Sequence, residues 1–269
     1  MMKIDLNCDL GEGFGGWEMG NDAAMIDLAT SVNIACGFHA GDSDTMRKTV
    51  ELAKARGVSV GAHPGYHDLH GFGRRPFPGM KASEIENLVA YQIGALQAIA
   101  ASCGARVAHV KPHGALANMA AEQRPYADAV SRAVRAAGND LILVALAGSE
   151  QHKSAHETGV IVAREGYADR LYTDDGNLAS RTTPGSLYHD PQRAVAQAIG
   201  MVFGREVITQ SGAALPVNID TICVHGDGPG AVAIAVELRA ALSARGAQLK
   251  PLDAMQLSRP APSALPLSA

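Results

Sequence analysis

The sequence predicts an α/β chain folded as an irregular seven-stranded (β/α) barrel. Three observations lead there. Short runs rich in Val, Ile and Leu recur seven times and alternate with longer helical patterns. Several of these runs are apolar nearly throughout, which suits parallel strands covered by helices. The alternation shows no obvious reversal, and right-handed crossovers repeated in that way favour a barrel over an open sheet.

The elements follow in order. The first strand, residues 3–8, runs into the turn DLGEG. The second, residues 32–36, breaks at Gly37, and Asp42 or Asp44 can cap a helix over 45–55. The third is 58–62. A loop over 65–80, rich in Gly, Pro, His and Arg, leads to a helix over 83–102, with Ser83 and Glu86 at capping-box spacing. The fourth strand, 106–110, precedes a helix over 126–137 that stops at Gly138. Strands over 141–147 and 160–164 come next, then a second long loop over 166–190. A helix over 194–203 ends at Gly204, the seventh strand is 221–224, and a helix over 231–244 ends near Gly246. Loops as long as these two are usually functional or disordered. Residues 1–256 therefore read as one barrel domain, and the Pro- and Ser-rich tail 257–269 as loosely ordered.

Composition bounds the function. The chain has 269 residues, enough for a substantial core, with 47% apolar and 19% charged residues as in an ordinary soluble enzyme. The net charge of -4 and the lack of a basic run argue against nucleic acid as a partner. No run reaches transmembrane length, so no membrane is expected, and the start lacks the apolar stretch of a signal peptide. Cys8, Cys36, Cys103 and Cys223 form no C-x-x-C pair, and all but Cys103 lie in apolar runs. They read as small buried hydrophobes in a reducing, cytoplasmic setting.

A parallel barrel carries its active site at the C-terminal ends of its strands. Six of the seven expected strand ends carry titratable groups: Asp9 and Glu12, His39 and Asp42, His63, Lys111 and His113, Glu165 with Asp169 and Arg170, and His225 with Asp227. Only the fifth carries none. A single histidine at a strand end is ordinarily a solvated loop residue; four on one rim are harder to explain that way. Asp42 is fully explained as a helix cap, and Arg74 and Arg75 as plain surface charges. Arg170 and Arg181 suit an anionic group of a substrate. The stretch HGDGPGAV, with His225 and Asp227, opens a helix whose N-terminus can hold a carboxylate or phosphate, but it matches neither the P-loop nor the dinucleotide fingerprint.

Asp9, His39 and His63, from three successive strands, form a ligand set for zinc or another borderline divalent metal. Such an ion polarises a carbonyl and generates hydroxide. Without a metal, Asp9, Glu12, Lys111 and His113 can support acid–base work on an amide, with Asp9 or a histidine as base and Lys111 as electrostatic partner. No G-x-S-x-G elbow is present. Both routes lead to hydrolysis of a C–N bond or a related carbonyl reaction.

The blocks IDLNCDLGEGFG, VNIACGFHAGD, GAHPGYHDLHGFGRR, VKPHGAL, REGYADRLY, LASRTTPGSL and ICVHGDGPGAV together resemble the LamB/YcsF family, over about residues 3–252. The resemblance implies a barrel of the glycoside hydrolase/deacetylase type. It implies the role of the A subunit of bacterial 5-oxoprolinase: ATP-dependent opening of 5-oxo-L-proline to L-glutamate, in a complex with subunits B and C. ATP would be bound here in an unfamiliar way or supplied by the partner subunits. In deacetylase-like relatives an Asp and two His hold a divalent metal, which by block order falls on Asp9, His39 and His63, with His113 able to replace one. Arg170 or Arg181 would pair with the substrate carboxylate. A homo-oligomer is compatible with all of this. The competing expectations are a stand-alone metal-dependent deacetylase acting on a sugar or small amide, and a non-catalytic subunit that holds a small carboxylate.

Overall fold

In a computed structural model that describes residues 2–224 and 230–260, the seven expected runs all form strands, within three residues of their expected limits. The order is β1 (Lys3–Leu10), α1 (Asp22–Ile26), β2 (Ser31–Ala35), α2 (Ser43–Arg56), β3 (Ser59–His63), α3 (Ala82–Ser102), β4 (Val107–Val110), α4 (Gly114–Glu122) and α5 (Arg124–Ala137). It continues with β5 (Ile142–Leu146), α6 (Glu150–Glu157), β6 (Ile161–Tyr167), α7 (Pro191–Ile199), β7 (Glu206–Ile208), β8 (Ala214–Pro216), β9 (Thr221–Cys223), α8 (Ala231–Ala244) and β10 (Gln248–Leu249). Strands β1 to β6 pair in sequence, all parallel, and β9 pairs with both β6 and β1. The barrel is thereby closed with seven strands. β7 and β8 form a separate antiparallel ribbon, and β10 pairs with the start of β1.

The core lies mainly between barrel and helices. In β1, Ile4, Leu6, Cys8 and Leu10 belong to it. The alternate residues Asp5, Asn7 and Asp9 are also buried, and Asn7 and Asp9 reach Lys111 of the β4 end, a strand that does not neighbour β1. They therefore point into the barrel. Ile142, Val144 and Ala163 make one interior flank apolar, and Leu252, from a short 3₁₀ turn after β10, seals it. The Leu252 N–H donates to Ser31 Oγ at the start of β2 (3.1 Å), which places this seal at the N-terminal floor.

Several helix ends differ from expectation. α3 starts just after Lys81, where Glu84 Oε2 accepts the Lys81 N–H at 2.7 Å and the Glu84 N–H donates to the Lys81 carbonyl at 3.0 Å. Glu86 instead pairs with Arg132 of α5 at 2.7 Å, so it is spent on helix packing rather than capping. Asp42 is the cap of α2, accepting the N–H groups of Asp44 (2.9 Å) and Thr45 (3.0 Å). α7 begins early, at Pro191 behind its cap Asp190, and finishes in a π turn over Gly200–Gly204. No expectation covered α1, α4, α6, β7, β8 or β10. Cys8, Cys36 and Cys223 are free and buried.

Candidate functional site

Strand alternation delivers the interior side chains to one rim. Asp9 closes β1, His63 closes β3, Lys111 follows β4, Glu165 and Tyr167 close β6, and Cys223 closes β9. The centre is Lys111, only 3% exposed. Its Nζ lies 3.0 Å from Asp9 Oδ1, 3.0 Å from Glu165 Oε1 and 3.0 Å from Cys223 Sγ, and donates to Asn7 Oδ1 at 3.2 Å. It also lies 5.3 Å from the Tyr167 ring centre. Burial alone would lower the Lys111 pKa, but Asp9, the Cys223 sulfur and Glu165 outweigh it and hold it well above the ordinary lysine value. The group is an ammonium.

Two asparagines set this cluster. Asn33 Nδ2 donates to Asn7 Oδ1 and Asp9 Oδ1, both at 2.8 Å, and Asn33 Oδ1 accepts from His109 Nε2 at 2.9 Å. Asn7 Nδ2 donates to Glu165 Oε1 at 3.0 Å and Thr221 Oγ1 at 2.7 Å. Acceptors and donors therefore alternate across the barrel, which keeps each buried charge solvated by protein.

Beside this pair stands a histidine group. His63 Nδ1 lies 2.6 Å from the Lys111 carbonyl and His113 Nε2 lies 2.8 Å from the Phe72 carbonyl. His39 stacks on His113, with ring centres 3.8 Å apart and planes 5° from parallel. Both His39 ring nitrogens are buried without a hydrogen-bond partner. Glu12 Oε1 is 3.9 Å from His113 Nδ1. One donor atom from each of Glu12, His39, His63 and His113 falls within a 4.8 Å span. Burial, and then the neighbouring rings, push His39 and His113 well below the ordinary histidine range, so both are neutral. The loop over 65–80 covers these rings with backbone: a Cβ on Gly73 (φ +62°) would sit 2.7 Å from His39 Cβ and 2.9 Å from His113 Cδ2.

A cavity of about 500 Å³ opens over this rim, and both long loops border it. Arg74 comes from the first and Arg181 from the second. Arg170 is 4% exposed; its Nη2 donates to the Ala179 carbonyl at 2.6 Å, while its Nε is buried without a partner. Burial, and then the charge of Arg181, lower the Arg170 pKa, against the opposing pull of Tyr167, Asp169 and Tyr172.

Of the residues singled out from sequence, Asp9, Glu12, His63, Lys111, His113, Arg170 and Arg181 line this cavity, and His39 packs directly behind it against His113. Asp9 lies with Lys111 and Asn33 rather than within the four-donor group, although its Oδ2 is 3.4 Å from His63 Nε2. His225 and Asp227 lie outside the described residues. Asn7, Asn33, His109 and Arg74 were not anticipated as parts of the site. For Asn7 and His109 the signal was the period-two spacing of Asp5, Asn7 and Asp9, and of His109 and Lys111, hidden within otherwise apolar runs. Arg74 faces the cavity, whereas Arg75 pairs with Asp68.

A closed parallel barrel with its titratable groups gathered at the C-terminal strand ends is a barrel of the enzymatic class. The chain matches the LamB/YcsF family over residues 4–257, and it belongs to that family. It is 58% identical to the 5-oxoprolinase A subunit of Rhodopseudomonas palustris (strain BisB18), over 93% of this chain and 98% of that one. It is 53% identical to the protein of the same name from Methylococcus capsulatus, over 90% and 93% of the two chains. Among solved structures, the lactam utilization protein from Thermus thermophilus superposes with a TM-score of 0.88 at 41% identity, covering 93% of this chain and all of that one.

Proposed function

We propose that this chain is the A subunit of a 5-oxoprolinase, working with subunits B and C to open 5-oxo-L-proline to L-glutamate at the expense of ATP. The observation that carries the reading is the 58% identity to a protein of that name over nearly the full length of both chains. The cavity chemistry agrees with it. Arg170 and Arg181 hold the substrate carboxylate as a charge-assisted pair. The lactam carbonyl then faces Lys111, whose ammonium stabilises negative charge developing on the carbonyl oxygen. Asp9, within the same cluster, takes the proton from water as its oxygen adds to the carbonyl carbon. The C–N bond breaks and the ring nitrogen takes up a proton as the free amine. An unstrained lactam resists water, which is why ATP is needed: phosphorylation of the carbonyl oxygen, with ADP leaving, makes that carbon a better electrophile. C–N cleavage after the first water adds leaves an acyl phosphate, and a second water hydrolyses it to the carboxylate and free phosphate. The chain itself carries neither P-loop nor dinucleotide fingerprint, so ATP is bound here in an unfamiliar way or at a site supplied by the partner subunits.

The test is reconstitution. Purified chain with 5-oxoproline and ATP is expected to yield glutamate only after subunits B and C are added. In that complex Lys111→Ala should lower kcat by about 10²- to 10³-fold, as expected for an oxyanion donor. Arg170→Ala should act mainly through KM. A complete complex that forms no glutamate, or a chain that alone deacetylates an N-acetyl sugar, overturns the reading.

A further inference from the structure

We infer that Glu12, His39, His63 and His113 together form a binding site for one divalent transition-metal ion of the zinc class, with Asp9 outside it as the partner of Lys111. The ring geometry carries this. A backbone carbonyl only accepts, so His63 Nδ1 and His113 Nε2 each carry a hydrogen. That leaves His63 Nε2 and His113 Nδ1 facing each other 3.0 Å apart, two acceptors unless a cation joins them. Only a cation between or beside them makes the contact favourable.

A proton is the lesser solution. It repairs that one contact and leaves His39 unexplained, a ring 1% exposed whose two nitrogens have no partner and which lies flat on His113. A buried polar atom without a partner costs about 1–3 kcal/mol. A metal ion engages His39, His63 and His113 together, and Glu12 supplies the negative charge. The four donor atoms span 4.8 Å, within reach of a common centre by side-chain rotation. Three imidazoles and a carboxylate are a borderline set suited to zinc, cobalt or nickel rather than to magnesium or calcium. The carbonyls of Lys111 and Phe72 already hold His63 and His113 by their other nitrogens, as partners of metal-bound histidines do. Gly65 and Gly73 leave the space: a Cβ at Gly65 would lie 2.6 Å from His39 Nδ1. Asp9 Oδ1 takes the Lys111 ammonium at 3.0 Å and the Asn33 amide at 2.8 Å, which ties this carboxylate to the Lys111 cluster, while its Oδ2 stands 3.4 Å from His63 Nε2. Once bound, the ion would add Lewis acidity beside the lactam carbonyl.

The inference stands on these contacts and not on the lactam reading. Chelator-treated chain, alone, is titrated with Zn(II) by calorimetry and with Co(II) by visible absorption, alongside thermal unfolding. The expected result is one equivalent bound, the visible bands of low-symmetry cobalt, and a raised Tm. Glu12→Gln, which keeps shape, and His113→Ala should each weaken binding by at least about 10-fold, the low end of what loss of a mere supporting partner costs. Asp9→Asn should keep one equivalent. Near-UV circular dichroism checks each variant's fold, and Glu12→Gln answers the question if His113→Ala does not fold. Neither heat nor cobalt bands in the wild type would mean that a shared proton alone joins His63 and His113. Binding that survives Glu12→Gln and His113→Ala but vanishes in Asp9→Asn would place the ion on Asp9, His39 and His63 instead. Either result overturns the inference. Stoichiometric metal binding by a chain whose complete complex makes no glutamate would remove the proposed function and leave this site standing.

Discussion

Lys111 is the residue on which the barrel interior turns. It neutralises Asp9 and Glu165, and neither carboxylate is more than 8% exposed. Replacing one member of such a buried set leaves the others as unpaired charges, at about 3–5 kcal/mol. Lys111→Met should therefore lower unfolding stability by that order as well as abolish activity, and Lys111→Met with Glu165→Gln should recover part of the loss. Urea unfolding of both variants decides it; a fully additive double variant would show that the two residues are not coupled. Asp5, at the other end of β1, behaves differently. Burial raises its pKa from 3.8 to about 6, despite hydrogen bonds from the Ser31, Thr221 and Thr30 hydroxyls. The folded carboxyl holds its proton more tightly than the unfolded one, so the native state binds more protons between about pH 4 and 6. Stability contributed by Asp5 is thus lost as pH rises through that window, by roughly 3 kcal/mol in full. Asp5→Asn cannot lose a proton. Its stability relative to wild type should improve by about 1–3 kcal/mol on going from pH 4 to pH 7. Parallel stability curves across that range would contradict a raised Asp5.

At the scale of elements, β3 is fitted to β4 through a glycine. A Cβ at Gly61 in β3 would sit 2.1 Å from His109 Nε2, the atom that orients Asn33. Gly61→Ala should cost about 1–3 kcal/mol by overpacking and should swing the Asn33 amide away from Asp9. Adding His109→Ala removes the clash, so stability should recover while activity does not, because Asn33 has still lost its anchor. Denaturation and rate measured on the same three variants separate the two effects. These details also show which elements the sequence discloses. The seven strands were legible because each is a short run rich in Val, Ile, Leu or Ala, and α2, α3, α5 and α8 because they are long and stop at caps or glycines. α6, EQHKSAHE, is polar and short, and α4 starts directly at the His113–Gly114 strand end, so neither shows a clear amphipathic period. β7 and β8 have three residues each, too few for a period to register. The rim histidines and Lys111 were visible from their position after strands. That Asp9 lies with Lys111, and Glu12 with the histidines, depends on a few ångströms of turn geometry that no spacing encodes.

At the scale of the whole molecule, the barrel has two unlike ends. The rim at the C-terminal strand ends is polar and open, while the floor is sealed by the segment after α8. β10 extends the sheet beside β1, and Leu252, fully buried, closes the apolar flank of Ile142, Val144 and Ala163. Asp253 reaches Arg106 at the start of the β4 segment (3.4 Å), and Met255 and Leu257 pack on the same cluster. The boundary that matters for folding therefore falls after this seal, not at the end of α8. Truncation after Ser258 should leave Tm unchanged. Truncation after Ala247 removes β10 and the seal; Leu252 alone accounts for about 2–5 kcal/mol on the scale of large-to-small core substitutions. That loss is comparable with a large share of a domain's net stability. Because the same interior carries the Asp5 and Asn7 bonds up to Asp9 and Lys111, opening the floor admits water along the axis that keeps the rim charges paired. The shorter truncation should consequently lose activity at temperatures where circular dichroism still reports helices. Leu252→Ala in the full-length chain should reproduce this loss in milder form. A chain ending at Ala247 that unfolds at the wild-type temperature would show that the floor bears no weight.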